Sequence, residues 1–395
     1  MPVPRPDDPF AFSGIRPQIR DLKTENIALL AVRAQSIPDV IPLWYGEGDI
    51  VTPAFIREAA KAAMDAGKTF YEPNMRGAAG LVAALSEYQT RLYGRPIAPS
   101  RSTVMPGGMQ AVFMALSLVA EPGANVVFVE PQWPNIAAAI HLVGAEPRPV
   151  ALGFDTDWRL DLDRLFAACD ARTKAIMFSS PSNPCGFTVT REEMKALLDF
   201  SRRTGIWIIS DEVYGRLWFE AEAAPSILEF AEEDDRVMAV NSFSKAWAMT
   251  GWRIGWLTHP VSVAPQLAAM TQYVNSGVSP FVQAGAEVAI REGEPFVQEV
   301  KARIRTGLDI AYDRLGRLNS VELPDKPRGG MYAFFRLKGE PDSAAACMRI
   351  LEEAHVGLAP GNLFGAVGRP FIRMCVFRDP AVVEVAVDRI AGALG

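Results

Sequence analysis

Ile206-Trp-Ile-Ile-Ser-Asp-Glu-Val-Tyr214 is the stretch that decides the fold. Four apolar residues run without a break into Ser210 and Asp211. A strand with one wet face would alternate, so this run predicts a strand buried on both faces. Similar runs recur on either side of it. Val126-Val-Phe-Val129 precedes a helical pattern from Asn135 to Val143, and Ala175-Ile-Met-Phe178 precedes one from Arg191 to Arg203. Val237-Met-Ala-Val240 supplies a fourth run. Apolar strands alternating with helices predict an α/β unit with a mostly parallel sheet covered by helices on both faces.

Upstream, Ile41 to Tyr45 reads as a short strand running into the turn Gly46 to Asp49. Thr52-Pro53 reads as the N-cap and first residue of a helix. Val104 to Gln110 reads as a turn feeding a helix from Ala111. The pattern changes after about Gln283. A long helix is expected from Glu294 to Leu318, with Val297, Val300, Ile304, Leu308 and Tyr312 on one face. Strands at Met331–Phe335 and Phe371–Val376, with helices at Ser343–His355 and Pro380–Leu394, predict a smaller α+β domain. The expected division is an arm with part of the small domain over 1–45, a large domain over 46–290 and a small domain over 291–395.

The 395 residues carry 22% charged and 49% hydrophobic residues and a net charge of -6, a balance that fits a folded enzyme-sized protein and disfavours a nucleic-acid partner. The Pro-rich N-terminus has no apolar core of a signal peptide, and the apolar run Ala111 to Ala120 is too short to span a bilayer. Four scattered cysteines and three scattered histidines suit a reducing compartment and leave no metal spacing. A cytoplasmic protein is expected, with no membrane partner and no metal.

Ligands of open parallel sheets bind beyond the carboxyl ends of the strands. Trp133, Asn183, Asp211 and Lys245 follow the four apolar runs, one each. Singly, each has a bland reading: core packing, a turn, a helix cap, a solvated loop lysine. Together they match what pyridoxal phosphate requires. A lysine amine can form an imine with its aldehyde. A carboxylate, Asp211, keeps a ring nitrogen protonated. Asn183 and Tyr214 can donate to the ring oxygen, and Trp133 offers a face to stack on. Ser242, Ser244, Arg253 and the turn Gly107-Gly108-Met109 before a helix offer donors for a phosphate.

This set resembles the fold-type I enzymes that use pyridoxal phosphate, and among them the class I/II, aspartate aminotransferase-like family. The similarity runs from about Pro38 to the C-terminus. It rests on Ser242-Phe-Ser-Lys245 with Gly251-Trp-Arg253-Ile-Gly255, on Asn183-Pro-Cys-Gly186 (a cysteine where the family has threonine), on Asp211-Glu-Val-Tyr214, and on Pro360-Gly-Asn-Leu-Phe364-Gly with Phe371-Ile-Arg373. The resemblance implies a transaminase in which Lys245 holds the cofactor as an aldimine and moves the α-proton. It implies that Arg373 binds the substrate α-carboxylate, with Gly46 and Asn183 nearby. It further implies that Tyr71 reaches the phosphate from the neighbouring subunit of a homodimer whose sites lie at the interface, although Tyr71 to Gly77 is one residue longer than usual.

Substrates are expected to be an amino acid and a 2-oxo acid. In one bacterial subgroup of the family the turn carries a lysine for a side-chain carboxylate, and this chain has Met109 there. Arg16 or Arg76 could replace it. Trp44, Tyr45 and Met109 at the site would favour a donor that need not be acidic. The same residues would serve a lyase, decarboxylase or oxidase, so these remain alternatives. A cofactor-sensing regulator would need a DNA-binding domain, for which about forty residues leave no room. A degenerate homologue would not be expected to keep Lys245, Asp211 and Arg373.

Overall fold

The computed structural model describes residues 14–20, 22 and 26–394. Its main sheet has seven strands: β1 (Ser102–Met105), β2 (Asn125–Glu130), β3 (Glu146–Ala151), β4 (Thr173–Ser179), β5 (Trp207–Asp211), β6 (Val237–Ser242) and β7 (Gly255–Thr258). Their spatial order is β1-β7-β6-β5-β4-β2-β3. Neighbours pair in parallel except β7, which runs antiparallel to both β1 and β6. The four predicted apolar strands are the centre of this sheet, and nearly every residue in them is buried. The α/β architecture expected from the apolar runs is therefore the one present.

Three strands are missing from the sequence reading, for identifiable reasons. β1 and β3 form the two edges, where an apolar run is not needed. β1 opens with Ser102-Thr103, and β3 carries Pro147 and Pro149, which only an edge strand tolerates. β7 is short and begins at Gly255 inside the stretch read for its chemistry.

Helices α1 (Ala54–Asp65), α2 (Ala79–Tyr93), α3 (Gly108–Val119), α4 (Pro134–Leu142) and α5 (Arg191–Thr204) surround the sheet. α5 begins with a capping box, Thr190 with Glu193, and stops at Gly205 in the left-handed region (φ 77°). Thr52 does not cap α1. Its hydroxyl donates instead to the Ala248 carbonyl at 2.6 Å, tying the helix entry to the Lys245 loop. A further helix, α6 (Pro280–Glu292), lies against α1 and α2, and its Ala- and Gly-rich packing face hid it in the sequence.

The long helix is α7 (Glu294–Leu315), with Val297, Val300, Ile304, Leu308, Ala311 and Leu315 buried along one stripe. It leads to a four-stranded antiparallel sheet of β8 (Val321–Glu322), β9 (Tyr332–Leu337), β10 (Ala359–Pro360) and β11 (Phe371–Cys375), in the order β10-β11-β9-β8. Helices α8 (Ser343–Ala354) and α9 (Pro380–Leu394) belong to this part of the chain, and α9 packs on α7. The N-terminal arm joins it too. A helix at Asn26–Ala34 packs on α8, and Ile41–Pro42 pairs in parallel with Val356–Gly357. Among the described residues, no helix is long and apolar enough to cross a membrane.

Candidate active site

A cavity of about 420 Å³ opens at the carboxyl ends of the central strands and is closed on one side by β9 and β11. Each central strand delivers a group to it. β5 ends in Asp211, whose carboxylate accepts from the Ser179 hydroxyl of β4 at 3.0 Å and from the Val213 amide at 3.3 Å. Ser179 is held in turn within 3.1 Å of Gln132 Oε1. Burial raises the Asp211 pKa to about 6, against the pull of these hydrogen bonds and of Lys245. A carboxylate so placed gains from a cation beside it, and no residue of the site forms an ion pair with it.

Lys245 leaves the end of β6, and its Nζ donates to the Gly46 carbonyl at 2.5 Å. Burial lowers the amine to about 8, with the Arg373 and Arg253 charges in the same direction and the Cys375 and Glu47 charges opposing. A neutral fraction of the amine is therefore present near neutrality, as a nucleophile or base requires.

The far end of the cavity collects phosphate-type donors. α3 begins at Gly108, earlier than the sequence suggested, so its first free amides face the site. Gly107 precedes it at φ 88°, ψ 170°, a conformation essentially reserved for glycine. A Cβ there would lie 2.5 Å from Arg253 Nη2, so the guanidinium rests against bare backbone. Arg253 itself is left-handed (φ 52°), and its Nη1 donates to the Thr250 carbonyl at 2.8 Å. The Ser242 hydroxyl donates to Ser244 Oγ at 2.9 Å, and both serines line the cavity. This end fits a dianionic phosphate.

The opposite end is built around Arg373. None of its surface is exposed, yet it has no carboxylate partner among the described residues. Nη1 donates to Asn183 Oδ1 at 2.9 Å, Nη2 donates to the Trp44 carbonyl, and Nε is buried without a partner. The rings of Tyr332, Phe364 and Trp133 surround the guanidinium, with centroids at 4.5, 4.8 and 5.6 Å. A buried, unpaired guanidinium with an idle N–H fits a planar carboxylate.

Tyr332 was missed by sequence reasoning, which took it as one apolar residue of a strand. Its hydroxyl sits 2.9 Å from that of Tyr214, which is also 3.5 Å from Asn183 Nδ2. Burial raises both phenols above their usual range, so both stay protonated and able to donate. A glycine-rich stretch, Gly329-Gly330, just before the strand was the available signal.

Other expectations need correction. The Trp44 ring is buried against Gly357 and does not line the cavity; its carbonyl, not its ring, serves the site through Arg373. Arg76 is spent on the carbonyls of Pro99, Ser100 and Ser102, and Arg16 on that of Leu142, so neither reaches the cavity. Tyr71, expected to serve the neighbouring subunit's site, lies outside the cavity of its own chain. It is 81% exposed beside Phe70, in a surface hollow with Lys68 and Glu287. Gly46, Met109, Trp133, Asn183, Asp211 and Tyr214 line one cavity together with Lys245.

Comparison with known proteins agrees with this geometry. The family profile for aminotransferase class I and II matches residues 39–390. An aspartate aminotransferase of Pyrococcus horikoshii is 31% identical over 376 residues, covering 94% of this chain and 95% of its own. An aromatic-amino-acid aminotransferase of Thermococcus litoralis is 30% identical over 366 residues, covering 91% and 93%. The crystal structure of an aspartate aminotransferase from Thermotoga maritima superposes with a TM-score of 0.89 at 29% identity, over 96% of this chain and 99% of that one.

Proposed function

The chain belongs to the class I and II aminotransferases, and on that premise we propose how its residues divide the work of a pyridoxal phosphate-dependent transaminase. The reaction moves an amino group between an amino acid and a 2-oxo acid. The bound cofactor carries that amino group and acts as an electron sink at the substrate α-carbon. The cavity fits it: a glycine-only cradle at one end, a buried carboxylate without a cation in the middle, and an unpaired buried guanidinium at the other end.

Ser242, Ser244, Arg253 and the backbone of Gly107, Gly108 and Met109 hold the phosphate. Trp133 would offer the ring a face, Asp211 would stabilise a protonated ring nitrogen, and Asn183 and Tyr214 would donate to the ring oxygen. Arg373 takes the α-carboxylate, supported by Asn183 and the Gly46 loop. Lys245 Nζ anchors the cofactor between turnovers. As a free amine it would take the proton from the substrate α-carbon as a base and give it back as an acid. Its short contact to a carbonyl oxygen, which cannot neutralise it, leaves the amine free to change partners.

The observation that carries this reading is Arg373, buried and unpaired in the same cavity as an amine whose pKa is lowered to about 8. The enzyme works as a homodimer in which Tyr71 of the partner subunit completes the phosphate site. The exposure of Phe70 and Tyr71, 82% and 81%, supports an interface there. Residues 291–395 with the N-terminal arm form the smaller domain, and four free cysteines are in keeping with a cytoplasmic setting. Borohydride reduction of the cofactor-loaded protein, followed by peptide mapping, tests the assignment. A single phosphopyridoxyl group on Lys245 is expected; a label elsewhere, or none, rules it out.

A further inference from the structure

Tyr332 lines the cavity and has no task in the division of labour proposed above, on which this inference rests. Its position is fixed on every side. β9 lies between β8 and β11, and only 2% of the residue is exposed. The Arg373 guanidinium lies over the ring, 4.5 Å from its centroid. The bare backbone of Gly46 closes on the hydroxyl, and a side chain on that glycine would strike the Tyr332 oxygen. Tyr214, itself 5% exposed, meets the hydroxyl at 2.9 Å. Burial keeps both phenols protonated, so each has one hydrogen to place.

Where those hydrogens go follows from Arg373. A guanidinium only donates, so the Asn183 atom that meets Arg373 Nη1 at 2.9 Å is the carbonyl oxygen, which turns the amide nitrogen towards Tyr214. That nitrogen also only donates, so the Tyr214 oxygen accepts from it, at 3.5 Å. Tyr214 can then spend its single hydrogen on Tyr332 or on a ligand in the cavity, not on both. If Tyr214 donates to the cofactor's ring oxygen, the 2.9 Å contact holds only with Tyr332 as its donor.

We propose that Tyr332 is a positioning residue, whose hydroxyl donates to Tyr214 and so directs the one Tyr214 hydrogen onto the cofactor's ring oxygen. Tyr214 then accepts twice and donates once, which is the full capacity of a hydroxyl. Each bond it accepts polarises the O–H that it gives away. A stronger donor at the ring oxygen favours the anionic form of that oxygen. It thereby favours loss of the proton held between the ring oxygen and the Lys245 nitrogen.

The test is spectroscopic and needs no turnover. The absorbance of bound pyridoxal phosphate is titrated with pH in wild type, Tyr332→Phe, Tyr214→Phe and the double variant. Phenylalanine keeps the ring and its packing on Arg373 and removes the hydroxyl alone. Tyr332→Phe should raise the midpoint by about 0.5 unit or more, about a threefold gain in proton affinity. Tyr214→Phe should raise it further. In the Tyr214→Phe background, loss of the second hydroxyl should change nothing more, because its effect passes through Tyr214. Replacing the residue at position 332 with 3-fluorotyrosine, a stronger donor of nearly the same shape, should lower the midpoint. An unmoved midpoint in Tyr332→Phe, equal shifts with and without the Tyr214 hydroxyl, or a rise with 3-fluorotyrosine overturns the proposal. A wild type that takes up no pyridoxal phosphate overturns the cofactor reading itself, and this proposal with it.

Discussion

Replacing Arg373 by methionine separates a ligand-binding arginine from a structural one. The side chain is fully buried, makes two hydrogen bonds to neutral acceptors and leaves its Nε–H without a partner. Removing it from the empty protein has two opposing effects. The Asn183 Oδ1 and Trp44 carbonyl acceptors lose their donor, at about 1–3 kcal/mol each. An unpaired buried charge, itself unfavourable by several kcal/mol, disappears with it. These largely cancel, so equilibrium urea unfolding of the cofactor-free protein should change by less than about 2 kcal/mol. Amino-acid binding to the loaded enzyme has no such compensation. Loss of a buried charged partner is worth about 2–5 kcal/mol, so the concentration for half-maximal single-turnover reaction should rise about 30-fold to several thousandfold. Arg373→Lys should recover part of this, because it restores charge but not the planar fork. A variant that loses more than about 3 kcal/mol of stability yet binds amino acids normally would refute the reasoning.

Further expectations follow from the same geometry. Gly107→Ala forces a Cβ against Arg253 Nη2 and a backbone strained by about 1–3 kcal/mol, so cofactor affinity measured by equilibrium dialysis should fall at least about tenfold while the fold persists. The Lys245 amine, lowered to about 8 by burial, gains its reactive neutral form as pH rises through that value. Cofactor uptake by the empty protein should therefore accelerate between about pH 7 and 9, and a midpoint near the ordinary lysine value of about 10.4 would contradict the burial argument. Glu294, at the start of α7, pairs with the buried Arg216 at 2.6 Å just beyond the Asp211–Tyr214 segment, and Arg216 also donates to the Tyr88 hydroxyl at 2.8 Å. Glu294→Ala should lower denaturant stability by about 1–2 kcal/mol, discounted for the partial exposure of the glutamate. Sedimentation of the loaded wild type should give a dimer, and Tyr71→Ala should weaken cofactor retention.

The parts of this protein legible in its sequence are those where burial leaves no choice of residue type. β2, β4, β5 and β6 are covered on both faces, so their apolar runs announce them, and the polar residue at each end marks the ligand side. β1 and β3 are edge strands with looser requirements and blended into turns. Thr52-Pro53 has the composition of a helix start, but tertiary structure redirected the threonine to Ala248. Tyr332 stayed hidden because a tyrosine facing a cavity and a tyrosine in a core look alike along a strand. Trp44 shows the reverse case: an aromatic beside the site, expected to present its ring, contributes only a carbonyl. Arg76 and Arg16 could be dismissed only once their carbonyl partners were known.

The most direct test of the central claim is the stoichiometry of one half-reaction. Loaded enzyme is mixed with an amino acid in the absence of any 2-oxo acid, and absorbance and products are followed together. One equivalent of 2-oxo acid per site is expected, with the cofactor left aminated, no ammonia, carbon dioxide or peroxide, and reversal on adding a second 2-oxo acid. A protein that takes up no cofactor, or one that releases ammonia, carbon dioxide or peroxide with its cofactor unchanged, would contradict the account.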